Sequence, residues 1–242
     1  MLLAEWTKLR TLRSTLWTLL ATFVACVGPA YLIALSFRGM ERDFDPLFAT
    51  FYSLTLGQLA LVVFGVMAVS GEYSSGSIRS SLAAMPQRAG FFAAKIAAIA
   101  LLALPVSVAT VLATFFAAQA GLGPNRAGWE NRAVAGAIAY LVLICLLASG
   151  MAMMLRSAAI CLAVLMPLLF LGSQGLGNIP KVKEVAQYLP DQAGMVIMHL
   201  TGPAGDPVFG RDYGPWTGLG ITALWTLAAL LGGLFLLNRR DA

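Results

Sequence analysis

Six long apolar runs dominate this chain, at 15–35, 46–70, 92–120, 133–155, 158–176 and 216–237. About 20 apolar residues span a hydrocarbon core at about 1.5 Å per residue. Lipid offers no hydrogen bonds, so continuous apolar runs of this length must satisfy their backbones as helices. Composition agrees, since 59% of the 242 residues are hydrophobic and 11% charged, against about 25% charged in a soluble domain. The expected fold is an all-α membrane protein of six transmembrane helices in one domain over residues 1–242. Residues 15–35 follow Lys8, Arg10 and Arg13, as a signal peptide would. However, the run exceeds the usual signal core and lacks a clear small-x-small cleavage site, so it reads as an uncleaved first span.

Charge orients the spans. With the N-terminus inside, the inner segments hold nine basic and three acidic residues, the outer ones seven basic and eight acidic. The basic excess then marks cytoplasmic loops and attraction to anionic lipid, not nucleic acid. Both termini of this multi-pass chain are expected in the cytoplasm. Cys26, Cys145 and Cys161 all lie within spans and make no disulfide framework or metal spacing.

Residues 1–14 suggest a helix on the inner surface. Leu2, Trp6, Leu9 and Leu16 fall near one face, Lys8, Thr11 and Thr15 on another, and Arg13 interrupts the apolar side. Pro29, Pro105 and Pro167 sit inside spans one, three and five, where each removes a backbone donor. Spans four and five are joined only around Arg156 and Ser157, which makes them antiparallel neighbours. The loop 177–215 is long, but Pro190 divides its apolar stretches. Two short helices in the outer leaflet are expected there rather than a seventh span.

Several chemistries are missing. No ionisable residue sits mid-span, which argues against a proton-driven antiporter. None of Lys8, Lys95, Lys181 and Lys183 follows a glycine, so the phosphate-binding G-x-x-x-x-G-K pattern is absent. Ser149 lies in a span and His199 in the outer loop, on opposite sides of this topology, so they form no catalytic dyad. Asp43 and Asp45 share a short outer loop with Arg38, Glu41 and Arg42, as a solvated charge cluster does. No catalytic residue, metal site or cofactor of the chain's own is expected. Gln58, Gln119 and Gln174 offer polar lining within the spans, as helix packing also would.

Residues 71–88 form a polar island between two apolar runs. Ser74 or Ser75 can cap a helix that Pro86 stops. Ile78, Leu82 and Met85 make an apolar stripe along it, with Arg79 and Arg88 pointing elsewhere. Glu72 stands where span two exits, free to cap the helix or to pair with Arg79 or Lys8. A short transverse helix with an apolar stripe either docks into a partner's groove or rests on lipid.

Glu72, Tyr73, Gly76, Ser77, Arg79, Leu82, Pro86, Arg88 and Lys95 occur in an order that resembles the signature of ABC-2 type transporter permeases. Ser77 replaces the family's usual Thr and keeps its hydroxyl. Glu5, Trp6 and Lys8, followed by Arg13, are similar to the family's N-terminal interfacial helix. Tyr188 and Pro190 are similar to its segment before the last span, and Arg239-Arg240-Asp241 to its close.

The resemblance implies the membrane subunit of an ABC exporter. Two such chains, identical or different, would form the path. Two separate ATPase subunits would bind ATP and magnesium below. The island would be a cytoplasmic coupling helix between spans two and three. Cargo would be a drug, peptide antibiotic or lipid-like molecule. A carrier driven by an ion gradient and an intramembrane enzyme are the competing classes.

Overall fold

The computed structural model describes residues 2–11, 13–40, 44–84, 87–173, 175, 178–179, 181–203 and 206–239. Pro86 and Met85 of the island lie outside the described residues, as do Glu41, Arg42, Asp43, Gln174, Arg240 and Asp241. Every regular element among the described residues is helical.

Five apolar segments are long enough to cross a membrane. They are α2 (Arg13–Ser36), the pair α3 (Pro46–Phe51) and α4 (Leu54–Ser74), α6 (Arg88–Leu122), α7 (Asn131–Leu155) and α11 (Pro215–Arg239). Asp45 starts α3, its Oδ1 accepting from the Leu47 N–H at 2.8 Å. The expected run at 158–176 yields only α8 (Ala158–Ser173), of 16 residues. At about 1.5 Å per residue it reaches about 24 Å, short of a core of about 30 Å. Gly175 then takes a left-handed backbone (φ 105°), which a helix cannot continue through. Among the described residues, α8 is therefore shorter than the run at 158–176 that the sequence marks as a span.

α7 lies at the centre and packs on α4, α6, α8 and α11, while α2 crosses α4 and α6. Tyr140, Phe51, Phe64 and Ile144 fill the core between them. Small residues let backbones touch: a Cβ on Gly150 would fall 2.7 Å from the Ala229 carbonyl carbon, so α7 and α11 meet closely. Pro29, Pro105 and Pro167 are accommodated inside α2, α6 and α8. Cys26, Cys145 and Cys161 are buried and unpaired.

Short elements cluster at the two ends of the bundle. α1 (Leu2–Thr11) and α5 (Ser77–Ala84) lie at one. α9 (Lys183–Ala186), α10 (Pro190–Met195) and a 3-10 turn at Val196–Met198 lie at the far end. The described part of the long loop thus holds two short helices and a 3-10 turn.

Candidate functional site

Glu72, near the end of α4, is the pivot of the α1 end. Its Oε1 lies 2.9 Å from the Lys95 Nζ of α6 and also takes a hydrogen bond from the Lys8 Nζ of α1. Lys95 reaches Glu5 Oε2 of α1 at 2.8 Å. Of the pairings open to Glu72, the one with Lys8 is present. Two cations and two anions thus form one neutral chain across three helices. Glu72 is 3% exposed and Lys95 1%. The Phe91 ring lies 5.6 Å from the Lys95 ammonium. Burial of this kind adds little stability over an apolar contact, but it enforces one arrangement because a broken pair is costly.

α1 therefore does more than rest on lipid. Glu5 and Leu9 are buried against the bundle and Trp6 is half-buried. Arg13 opens α2 and is exposed, as is Leu16, which the spacing had placed on the apolar face.

The rest of the island ties down further helices. Tyr73 donates from its hydroxyl to Met153 Sδ at 2.9 Å, and the Arg156 guanidinium lies 5.2 Å from its ring, so α4 is fixed to the end of α7. Gly76 takes φ 70° between α4 and α5. A Cβ there would meet nothing within 4 Å, so conformation rather than space selects glycine. Ser77 starts α5 with its hydroxyl 3.0 Å from that of Ser75. Arg88 donates to the Leu237 carbonyl at 2.8 Å and to that of Asn238 at 3.3 Å, closing the end of α11.

Within α5 the apolar stripe turns inward. Ile78 is buried in the core and Leu82 packs half-buried against it. Of the stripe, Ile78 and part of Leu82 are thus covered by the chain itself, while Met85 lies outside the described residues. Arg79, Ser80 and Ala83 form the exposed face.

At the far end, Pro190 is buried and opens α10, its carbonyl accepting from Thr222 Oγ1 at 3.0 Å. Tyr188 is exposed, and its carbonyl accepts from Trp225 Nε1 at 2.8 Å. His199 Nδ1 lies 2.8 Å from Asp45 Oδ2 and its Nε2 3.5 Å from Glu130 Oε2. The hydrogen bond to Asp45 raises the imidazole above its ordinary value, against the opposing effect of burial. Burial pushes Asp45 upward, but the His199 and Leu47 hydrogen bonds leave it below the ordinary carboxylate range. Ser149 donates instead to the Cys145 carbonyl at 2.9 Å and that of Gly65 at 3.3 Å, a packing contact between α7 and α4.

Residues 1–179 match the family model described as ABC-2 family transporter protein. The chain belongs to the ABC-2 family of transporter proteins. No curated protein matches it. As a family member it is a multi-pass membrane component of a transporter, and the family implies association with an ABC ATPase.

Sequence reasoning found Glu72 but missed its partners Lys95 and Glu5. Lys95 appeared as the residue opening a span, and its charge was the available signal, since a lysine against an apolar run needs a carboxylate nearby. Asp191, wholly buried in α10, was counted merely as an outer-loop acid.

Proposed function

We propose that this chain is the permease subunit of a bacterial ABC exporter, coupled through α5 to a separate ATPase. The carrying observation is that the segment around α5 is linked to four helices. Glu72 ties it to α1 and α6, Tyr73 to α7, and Arg88 to α11. A push on one exposed eight-residue helix would then move much of the bundle together. In this reading Arg79, Ser80 and Ala83 meet the ATPase. Glu72, Tyr73, Gly76, Ser77, Leu82 and Arg88 hold α5 and transmit the load, with Glu5, Trp6, Lys8 and Arg13 supporting it from the N-terminal side; Pro86, outside the described residues, belongs to the same motif. The chain would catalyse nothing itself, and ATP with magnesium would bind the partner. A second permease chain would complete the path for a drug, peptide antibiotic or lipid-like cargo. α1 and α5 would face the cytoplasm of a plasma membrane.

The test is reconstitution in nanodiscs with an ABC ATPase that co-purifies with this chain. The unaltered chain should stimulate ATP hydrolysis. Arg79→Glu should cut that stimulation about tenfold, or about 1.4 kcal/mol of coupling, with the chain still folded. Equal stimulation by both proteins would refute coupling through α5.

A further inference from the structure

Two adjoining apolar cavities lie among α7, α8, α10 and α11, of about 380 and 220 Å³. They share Leu168 and Leu189 and so form one groove. Val164, Leu171, Val182 and Val185 around its α8–α9 side are exposed and apolar, so it opens toward lipid. At its polar end the wall is Gly172 and Gln192.

Asp191 stands behind that wall. It is 0% exposed. Its Oδ2 accepts from Gln192 Nε2 at 2.9 Å, but Oδ1 has no hydrogen-bond partner. Among the described residues no cation comes within salt-bridge distance of it. Arg211 attracts it from farther off while bonding Asn178 and Gln192 at 2.9 and 2.7 Å. A carboxylate buried with incomplete pairing is costly unless something brings it a charge. Gly172 packs directly on it: a Cβ there would fall 2.1 Å from Oδ2, so a thin layer of glycine backbone, with no side chain, separates the carboxylate from the groove.

We propose that this groove binds a hydrophobic monocation, its apolar body along Leu168 and Leu189 and its ammonium against Gly172, where Asp191 receives the charge. An anion is repelled there, and a neutral analogue gains only the apolar contact. Burial pushes the Asp191 carboxyl up to about 6, with the Gln192 hydrogen bonds and Arg211 opposing. A bound cation favours the carboxylate, so protons compete with the ligand and binding weakens as pH falls through that value. The other groups facing Asp191 are the Tyr140 phenol of α7 and, before α11, Arg211 and the Tyr213 phenol, the last pushed by burial to about 12. α8 and α11 contribute no charged group there. The inference rests on the exporter reading only for its consequence, that such cations are cargo. Binding itself needs no ATPase, so it can fail while coupling through α5 stands, or the reverse.

The experiment titrates the chain in nanodiscs of zwitterionic lipid with ω-bromododecylammonium or ω-bromododecanol. Quenching of Trp225, which lines the groove, is taken as the difference from Trp225→Phe. The ammonium should reach half-maximal quenching at about a tenth of the membrane mole fraction that the alcohol needs, about 1.4 kcal/mol. Asp191→Asn should remove that preference. In the unaltered chain, lowering the pH from about 8 to about 5 should remove it too, a measurement that needs no folded variant. Equal quenching by the two probes, a preference surviving Asp191→Asn or acid, or unchanged quenching in Trp225→Phe would overturn the proposal.

Discussion

Lys95 is among the largest fully buried side chains here, and its ammonium bridges Glu5 and Glu72. Lys95→Met should leave two carboxylates with Lys8 alone between them and cost about 3–5 kcal/mol. Adding Glu5→Gln and Glu72→Gln should recover much of the loss. Thermal unfolding in detergent checks both, and a single-variant loss under about 1 kcal/mol would match an exposed pair instead. The sequence exposed these charges but not their meeting, because the burial of Lys95 depends on α1 folding back onto α6. His199 is similar: it looked interfacial, yet it joins Asp45 and Glu130 from two other segments. Its raised value means that its stabilisation is complete below the ordinary 6.5 and disappears as pH rises through the folded value. Asp45, held low, contributes above its ordinary 3.8 and loses that share as pH falls. His199→Gln should therefore lower the melting temperature most between about pH 4 and 6.5, by the equivalent of up to about 1 kcal/mol. A gap that widened toward alkaline pH would contradict this assignment.

At the scale of elements, α5 shows where pattern stops informing. A helix there was legible from spacing, and the structure describes it over Ser77–Ala84. The destination of its stripe did not, because an amphipathic helix has the same period whether its own bundle or another protein covers it. Two substitutions now separate. Leu82→Asp places a charge against the core cluster and should lower folded yield, by about 2 kcal/mol or more in a melt. Arg79→Glu lies on the exposed face and should leave the melt within about 0.5 kcal/mol. If the two melts moved equally, the orientation of α5 would be wrong. Gly76→Ala should cost about 1–2 kcal/mol, since a left-handed backbone at φ 70° penalises any Cβ. α8 carries the complementary lesson. Hydropathy marked an apolar run to 176, but the described helix reaches only Ser173 and Gly175 beyond it takes a positive φ, which an average over a window does not register.

For the whole molecule, the number of membrane crossings decides where the termini lie, because five put them on opposite sides and six on the same side. We propose six, with α8 as a short crossing. α8 leaves the α1 end, joined to α7 by two residues at Arg156 and Ser157. Its other end reaches α10, where Gly172 meets Asp191. α11 begins beside the same helix, with Gly218 against the Ala193 carbonyl and Thr222 bonded to that of Pro190. α8 therefore traverses the bundle, and α11 returns to the α1 end, where Arg88 closes it. Its shortfall of about 6 Å is a modest mismatch that local bilayer thinning or flanking elements can absorb. The native cysteines are buried, so a membrane-impermeant maleimide should leave the unaltered chain unlabelled. Ser80→Cys should label only from the face that carries both termini, and Val185→Cys, exposed on α9, only from the opposite face. A C-terminal tag protected on the side where Ser80→Cys reacts would mean that α8 fails to cross, and would leave five crossings.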